Sequence, residues 1–351
     1  MKIYAAGFDP ATTSEHWFYD HTERLIFDKR AWAYYHILPD GSRRPLLGVT
    51  SVLKKVIDKS APLSAWAVKV DFAKLKSLLT VIDGRIDISE FEFDQLCEQA
   101  KKTHREEFEE AGDIGSQAHA WIEAYIRAIL ADNADRRLEL LSKLPLDDRA
   151  ANCCLAALEW MANHNVRWVC TERKVFSREH GYAGTLDGLA RVDSCDNLRC
   201  CQCAFKDQLS IIDWKSSNAL RLDYVFQAAG AYRHAYVEET GAAIAATWII
   251  RLGKELADFD PWYLTDDYFP GFLNAIKWYR SIVQLENFVG DIKDERAAIQ
   301  AEIDRLAKDA ADKLCCPKAA TYKGVRKSKC LADGSQCVAC EKIYTDKHES
   351  S

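Results

Sequence analysis

The stretch GSQAHAWIEAYIRAIL, residues 115–130, carries Ala118, Ile122, Tyr125 and Ile129 at intervals of three and four, the spacing of one helical face. His119 and Glu123, four apart, fall together on a neighbouring face. Helical periodicity dominates from about 60 to 165. Upstream, AWAYYHILPDGSRRPLLGVTSVLKKVI (31–57) reads as a hairpin about Pro39-Asp40-Gly41, then a helix capped near Thr50 or Ser51. The period changes at Val166. VRWVCTERKVFS, YAGTLDGLARVD and LSIIDWKSS are rich in β-branched and aromatic residues and are separated by turn formers, which predicts three strands. A helix over 223–240, closed by Gly241, and a further strand within 242–252 follow.

This order predicts an α/β fold: a small central mixed β-sheet flanked by helices, with a helical N-terminal region. From Asp291 to Leu314 the chain is highly charged, with Ile292, Ile299, Ile303, Leu306 and Ala310 at helical spacing, and a Cys-rich tail completes it. Two parts are therefore expected, 1–290 (with a core at about 110–255) and 291–351.

Composition narrows the class. With 48% apolar residues the chain can build a sizeable core, and its longest apolar run, AAIAATWII, is far short of the roughly 20 residues that span a bilayer. MKIYAAGFDP has no long apolar segment after its lysine, so no signal peptide and no membrane partner are expected, and the cytoplasm is the default location. A net charge of −6 gives no global pull toward nucleic acid, but a local basic stripe or bound metal ions can still hold a polyanion.

The chemistry lies where polar residues interrupt the core. In LSIIDWKSS, strand alternation puts Asp213 and Lys215 on one side and Ile212 and Trp214 on the other. Asp187, in GTLDG, sits on the preceding strand, so two carboxylates can meet on one sheet face, and a hard divalent cation resolves their repulsion. Lys215 could then orient the attacking water or stabilise developing negative charge. Taken singly, His119, Glu172 and Gln227 have ordinary readings as a helix histidine, a surface carboxylate and a polar helix residue.

Glu172, GTLDG (184–188), IIDWKS (211–216) and QAAGAY (227–232), with Gly115-Ser-Gln-Ala-His119 upstream, occur in an order that resembles the PD-(D/E)xK nuclease superfamily, in its RecB-type branch of recombination and phage exonucleases. The resemblance covers about residues 45–255 and implies a restriction-endonuclease-like core and a Mg²⁺- or Mn²⁺-dependent DNA exonuclease of recombination, replication or repair. Its alternatives are a structure-selective endonuclease and a catalytically silent nucleic-acid-binding protein. It implies that His119, Asp187, Asp213 and the backbone carbonyl of Trp214 bind metal and that Lys215 is catalytic. Glu172 would help hold metal or its water, and Gln227 and Tyr232 would contact the DNA backbone or brace the site. DNA is the implied partner, with a single-strand annealing protein or a helicase beside it. Here Tyr232 follows Gln227 by five positions, where the branch's pattern has four.

Thirteen cysteines in a chain without an export signal point to metal rather than disulfides. Cys97, Cys153, Cys154 and Cys170 lie in apolar surroundings. Cys200-x-x-Cys203, in an insertion with Cys195 and Cys201, and Cys337-x-x-Cys340 have the spacing of metal knuckles and together would make a tetrahedral site. The tail could instead use Cys316, Cys330, Cys337 and Cys340. Structural Zn²⁺ is expected, with an iron–sulphur cluster as the rival. Between them, PKAATYKGVRKSKC offers Lys323, Arg326, Lys327 and Lys329 to a phosphate backbone or leaves them in a solvated loop.

Overall fold

The first strands lie where a helical region was expected. In the computed structural model, which describes residues 9, 11–80, 86, 88–193 and 207–313, the N-terminal part is an antiparallel meander. Its strands are β1 (Thr13–Phe18), β2 (Glu23–Asp28), β3 (Ala33–Ile37) and β4 (Arg43–Gly48). The β1–β2 turn is hidden from a sequence reading because Tyr19, Asp20 and His21 all take positive φ without a glycine among them. The β3–β4 hairpin turns where Pro39-Asp40-Gly41 predicts.

The helices follow: α1 (Val49–Val56), α2 (Ser60–Leu78), α3 (Glu90–Ala100), α4 (Thr103–Leu130), α5 (Ala134–Ser142) and α6 (Asp148–Asn163). The N-cap of α1 is Gly48, not Thr50 or Ser51, because β4 runs straight into the helix. Next come β5 (Arg167–Ser177), β6 (Tyr182–Val192) and β7 (Gln208–Lys215). The crossover to β8 (Ala246–Leu252) is α7 (Leu222–Val225), a π-helical turn (Phe226–Tyr232) and α8 (Arg233–Thr240), closed by Gly241. A further strand, β9 (Phe259–Leu264), precedes α9 (Phe269–Lys313), which starts well before the charged stretch.

The fold is α/β, and its sheet is mixed but not small: among the described residues nine strands run β1-β2-β3-β4-β6-β7-β8-β9, with β5 also paired to β6. The chain falls into two compact units, Met1–Tyr279 and Arg280–Ser351. No helix among the described residues is long and apolar enough to cross a membrane.

The two faces of the central strands enter different cores. Ile212 and Trp214 of β7 join Ile122, Trp160 and Trp248 under α4 and α6, while Ile211 joins Val49, Tyr232 and Phe272 on the other face. One edge of β6 pairs throughout with β5. Its other edge is shared: Tyr182 and Ala183 pair with β4, and pairing with β7 begins only at Gly188. Residues 184–187 therefore occupy a fork between β4 and β7. Leu186 and Leu189 enter one cluster and Ala190 and Val192 the other, so the two-residue alternation slips at Asp187.

Candidate metal centre

Three carboxylates meet at the fork. Thr171↔Gly188 and Arg173↔Leu186 set Glu172 opposite Asp187, and Gly188↔Ile212, continued by one step, sets Asp187 opposite Asp213. Glu172, Asp187 and Asp213 thus stand at one level of three neighbouring strands, an arrangement that like charges oppose. Glu172 is held there with φ 51°, a left-handed conformation that costs a side-chain-bearing residue of order 1 kcal/mol. Where the β6–β7 ladder stops, the Trp214 backbone N–H donates to Asp187 Oδ2 at 2.8 Å. On β6 the Asp187 carbonyl accepts from the Thr171 hydroxyl at 2.8 Å.

The helix α4 supplies the fourth group. A Cβ at Gly115 would come within 2.7 Å of Ser216 Oγ, so the glycine lets α4 pass close to the end of β7. One turn later His119 reaches the fork, with Nδ1 3.8 Å from Asp187 Oδ2. Ligand atoms of His119, Glu172 and Asp187 all lie within 4.8 Å of one another.

Asp213 lies deeper. It is completely buried; Oδ1 has no hydrogen-bond partner among the described residues, and Oδ2 meets Lys215 Nζ at 2.5 Å. Asp213 and Lys215 project together, and Ile212 and Trp214 oppositely, as the alternation predicts. The Lys215 ammonium also stands 5.0 Å from the Tyr224 ring centroid.

Electrostatics follow burial. Glu172 is pushed up to about 7, first by burial and then by Asp187 and Glu123. Burial also raises the Asp213 carboxyl; Lys215 pulls it back and Asp187 adds to the rise. For Lys215, burial alone would favour the neutral amine, but Asp213 and Asp187 outweigh it and raise its pKa, so it stays charged.

Tyr232 lies inside the fold. It is buried, with its ring filling the space above Gly184, where a Cβ would come within 2.5 Å of Cε1. Of the two roles expected for it, this placement is the one that braces the site, with the ring packed against β6. Gln227 Nε2 donates to Tyr232 Oη at 3.1 Å. The π-helical turn makes this possible: the extra residue per turn brings positions five apart onto one face, which a regular helix does for positions four apart.

Beside the carboxylates opens a cleft of about 530 Å³ lined by His119, Lys215, Ser216, Arg221, Tyr224 and Lys254. A second, of about 700 Å³, shares Phe108, Arg221 and Tyr224 with it and continues to Lys54, Lys55 and Gln227. Sequence reasoning passed over Tyr224, Arg221, Lys254 and Lys54, which carry no motif and are gathered only by the fold. The expected cysteine site (Cys195, Cys200, Cys203, Cys316, Cys330, Cys337, Cys340) and the basic residues Lys323, Arg326, Lys327 and Lys329 lie outside the described residues.

Set against known proteins, the chain matches no family model and no curated protein sequence.

Proposed function

We propose that the chain is a divalent-metal-dependent deoxyribonuclease on a restriction-endonuclease-like core, hydrolysing phosphodiester bonds from DNA ends. The observation that carries this reading is the level of three carboxylates at the sheet fork, closed by His119 and neighboured by Lys215. Packed anions in a low-dielectric site need a counter-charge, and an orphaned Asp213 oxygen together with the His119–Glu172–Asp187 trio fits a hard cation. His119, Glu172 and Asp187 would hold it, and the nitrogen ligand suits Mn²⁺ as well as Mg²⁺. Such an ion, when bound, lends charge stabilisation to a phosphate and acidifies a water.

The protein's own contribution is positional. Lys215, fixed between Asp213 and the Tyr224 ring, keeps its charge and donates from Nζ to a phosphate oxygen as negative charge develops there. Asp187, tied through Oδ2 to the Trp214 N–H, keeps its orientation without the ion. The adjoining clefts pair cations with aromatic rings, a combination that receives phosphates and stacked bases of a strand.

The test is degradation of linear and covalently closed circular DNA with Mg²⁺ or Mn²⁺, using Asp187→Asn, which keeps an acceptor for the Trp214 N–H. Wild type should degrade the linear form alone, and the variant should lose at least about 10²-fold in rate with its fold intact. Cleavage of circles would move the reading to a structure-selective endonuclease. DNA binding without product under either ion would leave a silent binding protein, and undiminished activity of Asp187→Asn would remove the site assignment.

A further inference from the structure

The helix α9 carries a second pattern that the proposed nuclease site does not use. From Arg280 onward, in the second unit, Ile282, Leu285, Val289, Ile292, Arg296, Ile299, Ile303 and Leu306 alternate steps of three and four. This is a heptad seam sustained over three and a half repeats, with Ile282, Val289, Arg296 and Ile303 at a and Leu285, Ile292, Ile299 and Leu306 at d. It is not a core face. Every residue from 293 to 306 is exposed, and Leu285, Ile299, Ile303 and Leu306 each leave more than half of their surface in water. A strict seven-residue repeat differs from the 3.6-residue pattern that seats a helix on a globular core, and it demands another helix of the same period.

Charge identifies the partner. Arg296 sits mid-seam, and neither it nor the preceding Glu295 makes an ion pair among the described residues. In a parallel two-stranded coil the a side chain packs beside the preceding g residue of the facing helix. A second copy therefore brings Glu295 to Arg296, twice over by the two-fold axis. Isoleucines at two d positions would also suit three strands, but three strands would gather three guanidinium groups in one core layer. Two can turn outward to the flanking glutamates.

We infer that residues 282–306 of α9 form a parallel, two-stranded coiled coil with a second copy of this chain, in register at Arg296. The zipped segment spans about 37 Å at 1.5 Å per residue. The pairing stands whether or not the fork is a nuclease site.

Sedimentation equilibrium of the full chain at micromolar concentration tests it. Wild type should have twice the mass of one chain, and Ile299→Asp with Ile303→Asp should have the mass of one, whereas Ala301→Asp, on the opposite helix face, should stay dimeric. Arg296→Glu alone and Glu295→Arg alone should each weaken association at least about tenfold, and the two together should restore it. That rescue separates a broken interface from a broken helix. A monomer at every concentration, a trimer, a dimer indifferent to the seam substitutions, or single reversals without rescue would each overturn the inference.

Discussion

Glu172 shows how one residue can be placed against its own preferences. Its positive φ and its position across from Asp187 both cost folding free energy, and burial pushes its carboxyl up to about 7. Replacing it with Gln removes the charge conflict while keeping the size. In chelator-treated protein at pH 8, Glu172→Gln should be more stable than wild type by about 1–3 kcal/mol in a urea melt, because a carboxyl raised to about 7 ionises there at a cost to the folded state. An equal or lower stability would mean that the carboxylate is not strained there. The sequence made Asp187, Asp213 and Lys215 legible because a charge in an alternating, β-branched run stands out. Glu172 was visible only through resemblance, since nothing in its own strand marks the left-handed backbone or the slip in alternation at Asp187.

The π-helical turn is the element whose meaning was hardest to read in advance. Spaced by five, Gln227 and Tyr232 fall on different faces of a regular helix, so their pairing required a geometry that periodicity does not encode. Deleting Ala229 would restore the four-residue spacing and a regular helix. It would also rotate one side of the segment by about 100° relative to the other. The buried Tyr232 ring over Gly184 and the buried residues ahead of it then cannot all stay seated. The deletion should destabilise the protein by about 2–4 kcal/mol, comparable to emptying a large core site, as read from its chemical denaturation midpoint. A deletion variant as stable as wild type would show the turn to be dispensable. Legibility elsewhere followed turn chemistry: Pro39-Asp40-Gly41 exposed one hairpin, whereas Tyr19-Asp20-His21 concealed another.

Across the whole molecule, stability has an acid-sensitive centre in the tryptophan core. His164 is fully buried, stacked on Trp160 with its Nδ1 2.8 Å from the Trp160 carbonyl, and edge-on to Trp248. Burial lowers its pKa, and the Trp160 carbonyl only partly offsets this. A histidine whose folded pKa lies below its unfolded value of 6.5 contributes stability above pH 6.5 that is lost as pH falls toward and through the folded value. Between pH 7 and 5.5, wild type should therefore lose more stability than His164→Phe, measured as the shift of the urea midpoint. Parallel slopes would place the acid response elsewhere. The α/β class and the central strands were readable as a whole. The nine-strand extent was not, because β1, β2 and β9 carry mixed polar patterns that gain meaning only from their neighbours. The fork in β6 has a consequence for the order of events during synthesis. The meander reaches the central sheet through two register pairs, Leu47↔Tyr182 and Gly48↔Ala183. Each pair closes a span of 135 positions, which costs about 4 kcal/mol of chain entropy, and at ribosomal speed the gap lasts on the order of ten seconds. The segment made first must wait for the middle of the chain before it has a place to dock.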